Sequence, residues 1–145
     1  MKLTSPEFPN FGYMNSKHTC DGDNINPELR IEDAPMKAKS LALIMDDPDA
    51  PRGTWVHWIV WNIPADTKII AKGNEPEGMQ GKTDFGTTGY GGPCPPSGVH
   101  RYFFKLYALD VSLNLKEGST KMQLENAMQG HIMEKAELVG LYKKR

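Results

Sequence analysis

Val56-His57-Trp58-Ile59-Val60-Trp61-Asn62-Ile63 carries apolar residues in both of its alternation sets. Val56, Trp58 and Val60 fall on one face and Ile59, Trp61 and Ile63 on the other, so the segment reads as a central strand buried on both faces. Upstream, residues 41–45 form a compact apolar run that stops at Asp46-Asp47-Pro48-Asp49-Ala50-Pro51, where two prolines withdraw backbone donors. This predicts a strand leaving a sheet into a rigid loop. Downstream, His100, Tyr102, Phe104, Leu106 and Ala108 alternate along residues 100–109 as a second core strand, and residues 138–142 read as a last one. One helix is expected where Thr120 and Gln123 form a capping-box pattern, Leu124, Ala127 and Met128 keep helical spacing, and Gly130 can end it.

Composition agrees with a β-rich single domain over residues 1–145. The chain has 14 Gly and 11 Pro, which implies many turns, and its 39% hydrophobic residues supply enough apolar material for a packed core. Seventeen Lys and Arg against 18 Asp and Glu, without a long basic block, argue against nucleic acid as a partner, because phosphate neutralisation needs clustered cations. No apolar run approaches the roughly 18 residues of a membrane span, so no integral membrane association is expected. The start, Met1-Lys2-Leu3-Thr4-Ser5-Pro6, lacks the apolar stretch of a signal peptide, which leads us to expect a cytoplasmic protein. Cys20 and Cys94 belong to no Cys-x-x-Cys pair, so neither a disulfide framework nor a zinc knuckle is signalled; two thiols and one bridge both stay open.

Polar residues cluster at strand ends. Asp46, Asp47 and Asp49 follow one strand, while His57 and His100 begin two others. If the first strand runs antiparallel to the other two in one sheet, these positions meet at a single rim, with Tyr102 on the same face as His100. The Pro- and Gly-rich residues 91–98 would form a wall. Two imidazoles with ordinary pKa near about 6.5 can donate to a phosphate or carboxylate oxygen, so the set suits a small anion. His and Asp are also metal ligands, but here they lack the short spacing that would specify a metal, and no metal is assigned. No Ser, Thr or Cys sits in a nucleophile-elbow pattern. Cys94 reads as a wall residue or a weakly reactive thiol, Asp46 and Asp49 as turn formers, and Trp55, Trp58 and Trp61 as core. Arg101 is expected to pair with an acidic loop residue such as Asp49, and His18 and His131 have no partner visible in the sequence.

Asp46-Asp47-Pro48-Asp49-Ala50-Pro51-Arg52-Gly53-Thr54-Trp55-Val56-His57-Trp58, Gly91-Gly92-Pro93-Cys94-Pro95-Pro96 and Gly98-Val99-His100-Arg101-Tyr102 resemble the phosphatidylethanolamine-binding protein family, which includes Raf kinase inhibitor protein. Thr19-Cys20-Asp21-Gly22 and Ala136-Glu137-Leu138-Val139-Gly140 resemble its bacterial and archaeal branch, and the likeness covers nearly the whole chain. The resemblance implies an all-β dominated fold: a β-sandwich with a large central antiparallel sheet, one or two short helices near the C-terminus, and an anion pocket open to solvent. Carried over residue by residue, the pocket carboxylate is Asp47, the histidines are His57 and His100, the wall proline is Pro93 and the tyrosine is Tyr102. It also implies a small phosphorylated or carboxylated ligand, a protein partner, a homodimer, no cofactor, and a cis peptide at Ala50–Pro51. Because Arg145 follows soon after the last expected strand, we expect no counterpart here of the C-terminal helix that flanks the pocket in mammalian relatives. Neither kinase inhibition nor binding of a whole phospholipid is therefore carried over.

Three functions compete on this reading. A regulatory or inhibitor-type binding module for an anionic group is favoured, because the pocket offers donors without a nucleophile. A phosphoesterase or other hydrolase would use the histidines as acid, base or nucleophile. A scaffold or inhibitor would act through the surface of residues 73–98.

Overall fold

The computed structural model describes residues 1–145. Along the chain run β1 (Lys2–Thr4), β2 (Gly12–Tyr13), a 3-10 turn (Ser16–His18), β3 (Leu29–Glu32), β4 (Ser40–Asp47), β5 (Trp55–Pro64), β6 (Ile69–Ile70), β7 (Met79–Gln80), β8 (Val99–Leu109), α1 (Lys121–Met128) and β9 (Ile132–Lys143). The apolar run at residues 41–45 becomes β4, buried at every position. It lies within a six-stranded sheet of order β2-β9-β8-β4-β5-β7 and pairs antiparallel with both β5 and β8. The one parallel pairing in this sheet is the short β2 on β9.

A three-stranded sheet, β1-β3-β6, covers one face of the large one. Leu3, Leu29, Ile31 and Ile70 from the small sheet pack with Leu41, Leu43, Met45, Trp58, Tyr102 and Phe104 from the large sheet in one apolar core. On the opposite face Leu124 and Met128 of α1 cover Ile44, Ile59 and Trp61 in a second. Burial of two such layers is what stabilises a sandwich. The molecule is thus an all-β dominated sandwich with a single short α-helix. Its capping box is present: Gln123 N–H donates to Thr120 Oγ1 at 3.3 Å, and Thr120 N–H to Gln123 Oε1 at 2.9 Å. Gly130, at φ 83°, follows its end in the left-handed conformation that favours glycine. No helix is long and apolar enough to cross a membrane.

Four expectations need correction. β5 is buried on both faces but is not central, since only the two-residue β7 lies beyond it; β4 holds the middle. Its two faces are not the simple alternation either. The pairing with β4 steps from Met45↔Trp58 to Asp46↔Val56, skipping His57, and from Leu41↔Ile63 to Leu43↔Val60. Each bulge reverses the side chains beyond it, so Trp58, Val60 and Ile63 join the first core and Val56, Ile59 and Trp61 the second. Near the second bulge Asn62 takes φ 54° and exchanges two hydrogen bonds with the Leu113 backbone. β9 begins six residues before the expected start at residue 138, because its first residues are exposed and are held by backbone pairing to β8 that no apolar pattern announces. Finally, no peptide bond is cis, so Ala50–Pro51 is trans. Gly53 N–H donates to the Ala50 carbonyl at 3.2 Å. That places Pro51 at the second position of a turn, where trans proline with its restricted φ fits; a cis proline belongs one position later.

Candidate functional site

Because β4 runs antiparallel to both β5 and β8, its last residue comes beside the first residues of its neighbours. His100 Nδ1–H donates to Asp47 Oδ2 at 2.7 Å. A carboxylate only accepts, so the proton of a neutral His100 lies on Nδ1. The other oxygen, Asp47 Oδ1, accepts the Asp49 backbone N–H at 2.7 Å. His57, the residue skipped in the β4 pairing, is aimed by that bulge, and its Nδ1–H donates to the Gly91 carbonyl at 2.7 Å. Both imidazoles therefore keep Nε2 as their free ring nitrogen. Tyr102 joins them: its ring lies edge-on to His57 at 5.2 Å and stacked on His100 at 6.4 Å between centroids. The Tyr102 hydroxyl is buried and makes no hydrogen bond of ordinary length and angle, with the Cys94 backbone N–H nearby.

Asp47, His57, His100 and Tyr102 thus come together around a cavity of about 230 Å³. Pro93 does not join them. It is buried behind the wall, with its carbonyl accepting the Cys20 N–H at 3.1 Å, while Cys94, Pro95 and Pro96 face the cavity. Trp55 and Phe85 form its mouth, in edge-on contact at 5.5 Å, and Phe85 also meets His57 at 5.3 Å. Both aromatics are missed as site residues in the sequence. Trp55 reads as core, yet it is 39% exposed. Phe85 carries the one usable signal, an isolated large apolar ring within the Gly-rich residues 73–98.

The neighbouring charges sort by face. Arg101 grips Asp49 through its backbone N–H, Nε and Nη2 at 2.9, 2.9 and 2.8 Å, the pairing expected for it. This holds the Asp49 carboxyl below its ordinary pKa and keeps its own N–H on Asp47. Asp46 is no turn former: it points to the other face, buried, where Lys105 and Lys121 donate to it at 3.1 and 2.8 Å. His18 Nδ1 bonds the Ile25 carbonyl at 2.9 Å, and His131 Nδ1 bonds Asp110 at 2.8 Å. Cys20 and Cys94 form a disulfide, which makes Cys94 a wall residue and not a thiol. No three His, Cys, Asp or Glu side chains are grouped so as to hold a metal ion.

Burial pushes the His57 pKa below its ordinary 6.5, against the Gly91 carbonyl and the Asp47 charge, which favour the charged form. Burial and the Asp47 charge push the Tyr102 phenol well up. At neutral pH Tyr102 is accordingly a proton-bearing donor, whereas His57 Nε2 is an acceptor that becomes a donor on protonation. The arrangement can receive an oxyanion that brings a proton or induces one on His57.

A family model described as phosphatidylethanolamine-binding protein matches residues 4–143. The chain belongs to the phosphatidylethanolamine-binding protein family. A UPF0098 protein of Methanothermobacter thermautotrophicus is 50% identical over 99% of both chains, and one of Pyrococcus abyssi is 51% identical over all of this chain and 86% of that one. Among solved structures, a phosphatidylethanolamine-binding protein homologue from Chlamydia trachomatis superposes with TM-score 0.97 at 45% identity, covering 99% of this chain and 97% of the other. Escherichia coli YbcL, described as a member of the mammalian family, superposes with TM-score 0.91 at 31% identity, covering 99% and 98%.

Proposed function

We propose that this family member binds one small anionic group, phosphate or carboxylate, between the free Nε2 atoms of His57 and His100 with the Tyr102 hydroxyl as a further donor. The observation that carries this reading is the Tyr102 hydroxyl, buried without a partner between two imidazoles whose Nδ1 atoms are already committed. A buried unpaired polar group costs about 1–3 kcal/mol, which a ligand oxygen would recover. A volume of about 230 Å³ lies just below the roughly 300–1,000 Å³ of ordinary small-molecule pockets. That accommodates a phosphate with a short substituent, not a whole phospholipid. The apolar mouth of Trp55, Phe85, Pro51 and Pro96 would pack against that substituent.

The module acts by binding, with turnover as the competing outcome. The Asp47–His100 pair resembles the carboxylate–imidazole part of a hydrolase, but the cavity lining contains no Ser, Thr or free thiol to attack. Regulation of a protein partner, pairing of two copies and a cytoplasmic location complete the proposal. Equilibrium sedimentation tests the pairing, which predicts a species of twice 16.2 kDa.

The role of Asp47 decides between ligand classes. Each of its oxygens already accepts one hydrogen bond, from His100 and from the Asp49 amide, and on that basis we assign it the orientation of His100 rather than capture of a ligand amine. In calorimetric titrations Asp47→Asn should weaken inorganic phosphate and phosphorylethanolamine alike, by about 10- to 100-fold for a lost charge-assisted hydrogen bond. A loss confined to phosphorylethanolamine would make Asp47 the amine acceptor, and no loss for either would remove it from the site.

A further inference from the structure

The wall of the cavity is tied to the rest of the molecule in an unusual way. Residues 91–96 perform two tasks: the Gly91 carbonyl orients His57, and Cys94, Pro95 and Pro96 face the cavity. Pro93, Pro95 and Pro96 have no N–H to donate, so the segment has little backbone hydrogen bonding with which to hold itself. Its Gly91 N–H donates to the His57 carbonyl at 3.0 Å, and beyond that it leans on residues 18–24. The Asn24 side chain accepts the Gly92 N–H at 2.8 Å, and the Cys20 N–H bonds the Pro93 carbonyl at 3.1 Å. A Cβ on Gly92 would collide with the His18 carbonyl and Asn24, and one on Gly91 with the Phe85 ring, so these layers touch with no side chain between them. Residues 18–24 are themselves anchored, by Tyr90 Oη on the His18 carbonyl at 2.7 Å and by Tyr142 Oη on Asp21 at 2.6 Å. The only covalent link across this contact is Cys20–Cys94, and both cysteines are exposed.

We propose that Cys20–Cys94 is a thiol–disulfide exchange site for a dithiol reductant, and that its redox state sets the affinity of the adjacent anion cavity. The inference rests on the anion-binding reading above. One thiolate of the dithiol attacks a sulfur of the bridge and the Cys–Cys bond breaks as a mixed disulfide forms. The second thiol of the reductant then displaces the remaining protein sulfur. Two electrons and two protons pass to Cys20 and Cys94, and the dithiol leaves as a disulfide. The freed wall loses its fixed distance from residues 18–24, which leaves the Gly91 N–H bond to the His57 carbonyl as its tie to the site and loosens the placement of the Gly91 carbonyl on the His57 ring. Reducing compartments contain such dithiols, and an exposed bridge is open to them.

The test compares the folded protein before and after treatment with dithiothreitol, with thiols counted by maleimide labelling. Two quantities are measured: phosphate affinity, and amide exchange at Gly91, Gly92 and Cys94. Reduction should weaken phosphate binding at least 10-fold and raise exchange in the wall, and reoxidation should reverse both. The Cys20→Ser, Cys94→Ser double variant should bind like the reduced protein and ignore dithiothreitol. Equal affinity and equal exchange in the two states would overturn the proposal, as would a bridge that resists dithiothreitol in the folded protein. If the oxidised protein binds no phosphate while exchange still rises on reduction, the anion reading fails and the mobile wall stands.

Discussion

Trp58→Ala is expected to lower the melting temperature by about 10–20 °C while leaving anion affinity in the folded protein within about threefold of wild type. Trp58 has no solvent exposure and fills the core between the two sheets. Removing such a ring leaves a cavity costing about 3–5 kcal/mol, and each kcal/mol shifts the midpoint by roughly 3–4 °C in a chain of this size. Its Nε1–H donates to Glu75 Oε2 at 2.9 Å, and its ring meets Tyr90 edge-on at 5.3 Å. Glu75 is exposed, so water can replace the lost donor and the cavity dominates the cost. Trp58 does not line the cavity. Thermal denaturation followed by calorimetric titration at a temperature below the midpoint reads both quantities. A small thermal shift, or a binding defect as deep as that of a site variant, would contradict the assignment of Trp58 to the core.

His100→Ala should have the opposite profile in binding: affinity for phosphate falls beyond detection, at least 100-fold. Its effect on stability is larger than a position at a sheet rim suggests. His100 is 6% exposed and its partner Asp47 3%, so the substitution strands Asp47 Oδ2 in a buried setting. An orphaned buried acceptor costs about 1–3 kcal/mol, more if charged. The double variant His100→Ala, Asp47→Ala removes the orphan and should recover part of the lost melting temperature without recovering binding. A double variant no more stable than His100→Ala would show that the pair is not coupled. Retained binding in His100→Ala would return His100 to a structural role.

The contrast between these residues shows which parts of the molecule were readable. Residues 41–45 and 100–109 declared their strands because burial on one or both faces imposes a regular apolar pattern, and Thr120 with Gln123 declared the helix because a capping box is a local device. The convergence of Asp47, His57 and His100 followed from strand direction alone. What stayed hidden depends on contacts between distant segments or on extra residues in a strand. His57 owes its direction to a bulge, and period-two alternation presumes one step per residue. Pro95 and Pro96 form the wall in place of Pro93, and Phe85 closes the mouth, because residues 73–98 take their shape from packing on residues 18–24 and on His57. The Cys20–Cys94 bridge joins residues 74 apart, a pairing that spacing cannot reveal. The assignment of particular roles to Asp47, His57, Pro93, His100 and Tyr102 came from family resemblance, and of these five Pro93 does not line the cavity.

The central claim is that a proton-linked anion binds at His57 and His100. Sulfate tests it most directly, because its charge is constant between pH 8 and 5.5 and only the protein titrates. Burial depresses the His57 pKa in the free protein, so the unliganded His57 imidazole is mostly neutral above its ordinary value of about 6.5. A bound anion favours the charged imidazole and raises that pKa, so binding takes up a proton and tightens as pH falls. Calorimetric titrations at pH 8, 7, 6 and 5.5 should show affinity rising toward acid, by up to about tenfold per pH unit for one linked proton, across the interval between the raised His57 pKa of the complex and its depressed pKa in the free protein. The enthalpy should change between buffers of different ionisation heat, reporting proton uptake. Affinity independent of pH, or tighter at pH 8 than at pH 5.5, would contradict the account.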